Sequence, residues 1–314
     1  MRIINEKKIV NQILKKYSLD LNVGIERIHF GIDNYNFVIT DNKKYVLHIY
    51  KKKTYPEIIK EVKLMQYLIG KKAPLPQIIE TKNGNLISNN EDKYAVLFEF
   101  IQGEHPPWAH LDLGLCSDIG NKLANMHKSL LEFKSNDYAI QLADSFSDLS
   151  NFNKIDEFLI NKKQTTIKEL KNYELSKLRI SIIHGDICRE NLIIHKNKLV
   201  AIIDFSDAHK DYLVWDLATA LSQLFITKTA GIDWKGLEAF LKAYTKENAL
   251  NQQEKSILIT FMKLVNIKLA LIMDSQMEED KTEDLLSIKT SLLTKLILIE
   301  ENQKRLENLT SKYS

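Results

Sequence analysis

The chain has 314 residues, 44% of them hydrophobic, enough to bury a large core in two lobes and too apolar for a disordered polymer. Lysine and arginine total 44 against 41 acidic residues, a formal charge of +3, and no polybasic block marks nucleic acid or an anionic membrane surface as a partner. Two cysteines, Cys116 and Cys188, point to a reducing, cytoplasmic setting; the charged start MRIINEKKIVNQ and the lysines that interrupt the later apolar stretches, such as Lys263 and Lys268, argue against a signal peptide and a membrane span.

Residues 5–17 place Ile9, Ile13 and Leu14 on one side of a short amphipathic helix, a packing element. Residues 28–50 read as strands: His29-Phe30, a turn over 31–34, a strand over 36–40, a polar turn over 41–44 and a strand over 45–50. In the last strand, period-2 alternation sets Val46, His48 and Tyr50 on one face and Leu47 and Ile49 on the other. Lys51, Lys52 and Lys53 follow it. Thr54-Tyr55-Pro56-Glu57 has capping-box form, and Ile58, Val62, Met65 and Ile69 then recur at helical spacing with Glu61 beside the stripe. Pro74 and Pro76 close that helix. The run YAVLFEFI over 94–101 fits a buried strand, and His105, Pro106, Pro107 and Trp108 make a stiff loop after it. Beyond lies mostly helix: Leu115, Ile119, Leu123, Met126 and Leu130 form one stripe, and further apolar stripes run over Leu213–Phe225, 237–244, 257–273 and 285–299. Residues 133–155 have no clear period and read as substrate-side loops. The acidic stretch over 277–284 is either a solvated loop or a face for an amino-bearing substrate.

Residues 182–218 concentrate carboxylates, an asparagine and a histidine. Asp186 and Asn191 lie five residues apart, the spacing of a kinase catalytic loop, in which the Asp meets the acceptor hydroxyl and the Asn binds a metal ion. Two apolar runs, Leu192-Ile193-Ile194 and 199–203, are joined by the polar turn His195-Lys196-Asn197-Lys198, a hairpin that would return Asp204 toward Asp186 and Asn191. Few hard oxygen ligands, with positions left for phosphate and water, suit a magnesium nucleotide. A transition-metal hydrolytic site built from His184, Asp186, His195 and His209 is another reading, without a helical ligand motif such as HExxH behind it.

His184-Gly185-Asp186, Asn191, Ile203-Asp204-Phe205 and Asp216-Leu217-Ala218 together resemble the HGDxxxxN, IDF and DLA elements of the aminoglycoside phosphotransferase and choline kinase-like family. Gly120, Leu123, Ala124 and His127 fit that family's GxxLAxxH helix. IIDFSDA and VWDLATAL are most similar to the homoserine kinase-like and hydroxylysine kinase-like branches. The resemblance implies an α+β, two-lobed protein-kinase-like fold: a small antiparallel-sheet lobe over 1–101, a hinge at about 97–102, and a larger, mostly helical lobe over 102–314. It implies a Mg2+-dependent small-molecule kinase moving the terminal phosphate of ATP or GTP to a substrate hydroxyl. The leading acceptor is a hydroxylated amino acid, followed by an aminoglycoside, a choline-like alcohol or a sugar; no separate activation-loop signature between Asp204 and Asp216 marks a protein substrate.

By the same resemblance Asp186 orients the acceptor, Asn191 and Asp204 ligate magnesium, His184 holds the loop and Asp216 ties it down through its backbone amides. Asp207 sits either behind the metal or in a turn. Arg189 reaches phosphate or a substrate carboxylate, or is an exposed charge. The 31–34 turn, including Asn34, would cover the nucleotide phosphates or be a plain hairpin turn, and backbone groups of Glu99, Phe100 and Ile101 would meet the base. His127 reads as a satisfied core residue, and Cys188 as a small buried one. At His48 the family usually carries lysine or arginine; an imidazole there is only partly charged near neutral pH unless phosphate or a carboxylate raises it, and Glu61 is the carboxylate expected to pair with it. This departure motivates a reading of another class, a nucleotide-binding pseudokinase, which the intact Asp186, Asn191 and Asp204 oppose.

Overall fold

The computed structural model describes residues 2–20, 23–28, 34–91, 93–138, 157–279 and 282–313. The chain divides into two units, one of Met1–Gln102 with Ala201–Ile203, the other of Gly103–Val200 with Asp204–Ser314.

The first unit holds helix α1 (Arg2–Leu14), strands β1 (Gly24–Ile28), β2 (Asn34–Thr40) and β3 (Lys44–Tyr50), helix α2 (Tyr55–Gly70), and strands β4 (Ile78–Ile79), β5 (Ser88–Asn90) and β6 (Lys93–Glu99). The strands form one antiparallel sheet in the order β1-β2-β3-β6-β4, with β5 also on β6. Strand alternation makes two buried faces. Leu47 and Ile49 join Phe37, Ile39, Ala95 and Leu97 against Val10, Ile13, Leu14 and Tyr17, whereas Tyr50 and Val96 meet Ile58 and Val62 of α2. At about 1.5–3 kcal/mol for each fully buried aliphatic side chain, Val10 and Ile13 are enough to fix the first helix on the sheet. The capping box forms at α2, where the Thr54 N–H donates to Glu57 Oε2 at 2.7 Å. This helix stops at Gly70, ahead of Pro74, and Lys72 just beyond it takes a left-handed φ of 61°.

Strand β1 over Gly24–Ile28 precedes the strands expected from the sequence, and the expected strand His29-Phe30 lies outside the described residues. Residues 29–33, with most of the turn assigned to the nucleotide phosphates, lie outside the described residues; Asn34 itself opens β2 opposite Tyr50.

The second unit contains helices α3 (Leu113–Glu132) and α4 (Glu157–Leu170), strands β7 (Ile180–Ile183), β8 (Leu192–His195), β9 (Lys198–Ile202) and β10 (His209–Tyr212), helix α5 (Leu213–Phe225), strands β11 (Ile226–Thr227) and β12 (Gly231–Ile232), and helices α6 (Trp234–Glu247), α7 (Gln252–Glu279), α8 (Glu283–Glu301) and α9 (Gln303–Ser311). Asp112 caps α3, its Oδ1 accepting from Gly114 N–H at 2.8 Å. Gly120 lets α3 press against α6: a Cβ there would stand 2.4 Å from the Phe240 carbonyl oxygen. Every residue of α5 is buried, as expected of a helix apolar on all sides. Among the described residues one helix, Gln252–Met277, is long and apolar enough to cross a membrane, and 72% of its apolar window is buried within the protein. Its interrupting lysines are engaged: Lys263 Nζ meets Glu169 at 2.9 Å and Lys268 lies over the Trp215 ring. Of residues 133–155, expected as substrate-side loops, 139–155 fall outside the described residues, as do the side chains over 278–281 of the acidic stretch.

Candidate active site

The expected hairpin forms. β8 and β9 pair, and the two residues between them, Lys196 and Asn197, both take left-handed conformations with φ of 48° and 60°, the geometry that matches strand twist in a two-residue turn. At its entrance the chain makes a tight loop after β7. Gly185 has a φ of 87°, and a Cβ there would stand 2.5 Å from the Asp207 carbonyl oxygen, so glycine is required on two counts.

Asp186 follows. Asn191 Nδ2 donates to its backbone oxygen at 2.9 Å and to its Oδ2 at 2.8 Å, which leaves the Asn191 carbonyl oxygen as the atom able to ligate a cation. Burial raises the Asp186 pKa; His184 opposes this, while Asp207 and Asp204 push it further up. Asp204 and Asp207 thus act on Asp186 as negative charges, a field a divalent cation would relieve. Asp204, at the hairpin exit, is exposed and holds a φ of 64°, with its Oδ1 accepting from Ser206 N–H at 3.2 Å. Asn191 and Asp204 thus suit magnesium, which takes one or two protein oxygens and fills its shell with phosphate and water. Among the described residues no group of three or more His, Cys, Asp and Glu side chains could hold a metal, so the transition-metal reading on His184, His195 and His209 has no geometric footing.

The loop is held from below. Asp216, wholly buried near the start of α5, accepts from His184 N–H at 2.7 Å and Gly185 N–H at 2.9 Å. Burial alone would raise its pKa, but the hydrogen bond and charge of His127, together with His184, hold it below the usual carboxylate range. His127 Nε2 lies 3.2 Å from Asp216 Oδ2, and its Nδ1 2.7 Å from the Tyr244 hydroxyl. Asn248 donates to that hydroxyl at 3.2 Å, and Arg179 donates to Asn248 and, through two nitrogens, to the buried Glu254. His127 is therefore a core residue with a duty, since it connects the loop's anchor to α6. His184 is fully buried, its ring 4.5 Å from that of Phe205 and its Nδ1 3.3 Å from the Asp186 N–H. Burial pushes the Cys188 thiol well above its usual pKa, with Asp186 adding to the effect, which removes it as a nucleophile.

Arg189 is not an exposed charge. It is 2% exposed, donates through Nη2 to the Leu224 carbonyl, and lies 5.5 Å from the Trp108 ring centre.

In the first unit, His48 stands edge-on to Tyr50, with ring centres 4.6 Å apart, and near Phe98. Glu61 pairs elsewhere: its Oε1 accepts from the Tyr50 hydroxyl and its Oε2 from Lys53 Nζ, both at 2.8 Å. The expected partner was His48; a primary amine from the lysine run beyond the strand takes its place. The Glu99 and Phe100 amides donate to the Gln77 and Lys44 carbonyls, so of the three residues expected to meet a base, Ile101 has the amide that no other backbone group among the described residues engages. A recess of about 480 Å³ borders Lys44, Tyr45, Ile79, Glu99, Phe100 and Gln102.

Comparison with known proteins places this geometry. Residues 24–250 match the family APH, the phosphotransferase enzyme family. The chain is 26% identical over 255 residues to homoserine kinase of Zymomonas mobilis subsp. mobilis, covering 77% of each chain, and 27% identical over 253 residues to homoserine kinase of Methylobacillus flagellatus, covering 78% of this chain and 77% of that one. Among solved structures, amicoumacin kinase hAmiN, in complex with AMP-PNP, Ca2+ and Ami, superposes with a TM-score of 0.77 at 15% identity over 95% of this chain and 94% of that one. A microcompartment-associated aminopropanol kinase superposes at 0.71 with 16% identity, over 96% and 98%. The fold is the α+β protein-kinase-like one, and the chain belongs to the phosphotransferase enzyme family, as a small-molecule kinase that takes phosphate from a nucleotide and gives it to an alcohol group.

Proposed function

We propose that the chain phosphorylates the side-chain hydroxyl of a small hydroxylated amino acid, homoserine first, from ATP or GTP with Mg2+. The observation that carries the reading is the clamp of Asn191 on Asp186 at 2.8 Å, in a loop whose own amides are anchored on Asp216. The homoserine kinases matched over more than three quarters of their length support the acceptor class.

Asp186 receives the acceptor hydroxyl and aligns its oxygen with the terminal phosphorus. As the new O–P bond forms and the bond to the leaving nucleotide oxygen breaks, the hydroxyl proton passes to Asp186. Burial and neighbouring carboxylates raise its proton affinity, which suits it to that task. Asn191 and Asp204 would hold a magnesium ion, which when bound would neutralise phosphate charge. His184 keeps the loop in shape. Lys53, fixed on the buried Glu61, supplies the phosphate-anchoring cation that His48 does not.

The test is nucleotide consumption by purified protein with Mg2+ and ATP or GTP, against homoserine, hydroxylysine, amino alcohols, aminoglycosides and sugars. Homoserine-dependent turnover should fall at least about 100-fold in Asp186→Asn and vanish in Asp204→Asn. Lys53→Met should raise the nucleotide KM more than His48→Ala does. Turnover with no hydroxyamino acid in the panel would refute the acceptor assignment, and turnover undiminished in Asp186→Asn would refute the mechanism.

A further inference from the structure

Two cations are buried side by side beside the catalytic loop. Arg189 and Lys295 are each 2% exposed, although they come from the loop and from α8, more than a hundred residues apart. Both lie against one indole: Arg189 is 5.5 Å and Lys295 5.9 Å from the Trp108 ring centre. Trp108 itself is 56% exposed, so the pair sits one side chain beneath the surface.

The hydrogen bonding is incomplete in a specific way. Arg189 spends Nη2 on the Leu224 carbonyl, while its Nε and Nη1 are buried without a partner. Lys295 Nζ donates to Gln223 Oε1 at 2.5 Å, which turns the Gln223 amide nitrogen into a third buried donor without a partner. Buried donors left unmade cost on the order of 1–3 kcal/mol each, more when charged, and native interiors seldom keep several together. Glu190 and Asp233 act on Arg189 through space, and Glu190 on Lys295, but neither forms an ion pair with these cations among the described residues. A planar fork, an ammonium and an amide N–H, all donors and all buried, match an oxyanion.

Position indicates which oxyanion. Arg189 is three residues from Asp186 in the same loop, and Cys188 between them lies 3.7 Å from Asp186 Oδ2 while also acting on Lys295. An acceptor whose hydroxyl meets Asp186 would therefore present its other end to the cluster. We infer that Arg189, Lys295 and Gln223 form the subsite for the α-carboxylate of the acceptor, beneath Trp108, and that this subsite makes the enzyme select hydroxy acids over amino alcohols. The inference rests on the hydroxyamino-acid reading above.

The experiment compares homoserine with 3-amino-1-propanol, the same molecule without its carboxylate, in wild type, Arg189→Lys and Lys295→Met. The homoserine KM should rise roughly 10–100-fold in both variants, the loss of one charge-assisted contact. The nucleotide KM should stay unchanged, and the preference for homoserine over 3-amino-1-propanol should shrink by the same factor. Equal losses for both acceptors would reduce the cluster to structure, and a raised nucleotide KM would assign it to phosphate; either overturns the proposal. Binding gives a second readout independent of turnover and of the Arg189 and Lys295 variants. Trp108 fluorescence, isolated as the difference between wild type and Trp108→Phe, should change on adding homoserine and not on adding 3-amino-1-propanol. If wild type phosphorylates neither compound, the acceptor reading fails, while a Trp108 response to homoserine or acetate still supports the carboxylate subsite. No response to either carboxylate sinks it.

Discussion

Arg179 and Arg189 stand ten residues apart, on either side of the turn that delivers Asp186, and the protein treats them in opposite ways. Arg179 is saturated: Nε and Nη2 grip Glu254 at 2.7 Å each, Nη1 reaches Asn248 at 2.7 Å, and Nη2 also reaches the Ala249 carbonyl at 3.0 Å. Burial opposes its charge, yet Glu254 outweighs burial and raises its pKa. Arg189 has one carbonyl, and there burial prevails and lowers the pKa. The first arginine ends a chain of bonds through Asn248, Tyr244, His127 and Asp216 that terminates on the loop amides. The second begins a cluster that meets no carboxylate in a direct ion pair among the described residues. A closed polar network is architecture, and an open one, buried more deeply still, is a place for something else.

The comparison can be broken from the closed side first. Asp216→Ala strips the His184 and Gly185 amides and the His127 ring of their acceptor, and should cost about 3–5 kcal/mol in urea unfolding. Because the folded Asp216 pKa is depressed, its contribution is complete above the unfolded carboxylate value of about 3.9 and is lost as pH falls through the folded one, so the deficit of the variant should shrink in acid.

On the open side the sign reverses. Lys295→Met removes a buried charge that forms no direct ion pair with a carboxylate among the described residues, and should leave stability unchanged or raise it by about 1–3 kcal/mol, even as it harms acceptor binding. Burial, reinforced by Arg189 and opposed by Glu190 and Cys188, lowers the Lys295 pKa to about 8 from 10.5. Between those values the unfolded chain holds a proton that the folded one has shed. The wild type should therefore gain stability with rising pH relative to Lys295→Met, by up to about 1.4 kcal/mol per pH unit. A flat difference between the two across that window would mean that Lys295 is answered in solution and the cluster is closed. The smallest effect belongs to Trp108→Phe, whose half-exposed ring should change stability by no more than about 0.5 kcal/mol.

What the sequence made legible follows the range of the interactions involved. The capping box at Thr54, the stripe on α2, the alternation of β3 and the hairpin after Asn191 are set within a few residues, and each took its expected form. Glu61 read from the sequence as a carboxylate beside the apolar stripe, either pairing with the strand or on the surface; neither its burial nor its partner Lys53 was legible. Period-2 counting places His48 on a face, yet it cannot follow the chain through the turn that returns Lys53 to Glu61. His127 looked like a core histidine because its partners, Asp216 and Tyr244, are 89 and 117 residues away. Arg189 stood out as a rare arginine inside the loop, while Gln223 and Lys295 went unnoticed within apolar helices. A signal existed: a lysine in the run LLTKLILIE occupies a position that helical spacing buries, and an ammonium placed there needs a reason.

Asp204 bends the backbone to a φ of 64°, a left-handed conformation that residues other than glycine, asparagine and aspartate seldom hold, at a cost of order 1–3 kcal/mol relative to glycine. Glycine would sit there without strain, so Asp204→Gly should melt no lower than wild type while losing phosphoryl transfer altogether. A library sorted for heat resistance alone would discard this aspartate, and a library sorted for turnover would restore it.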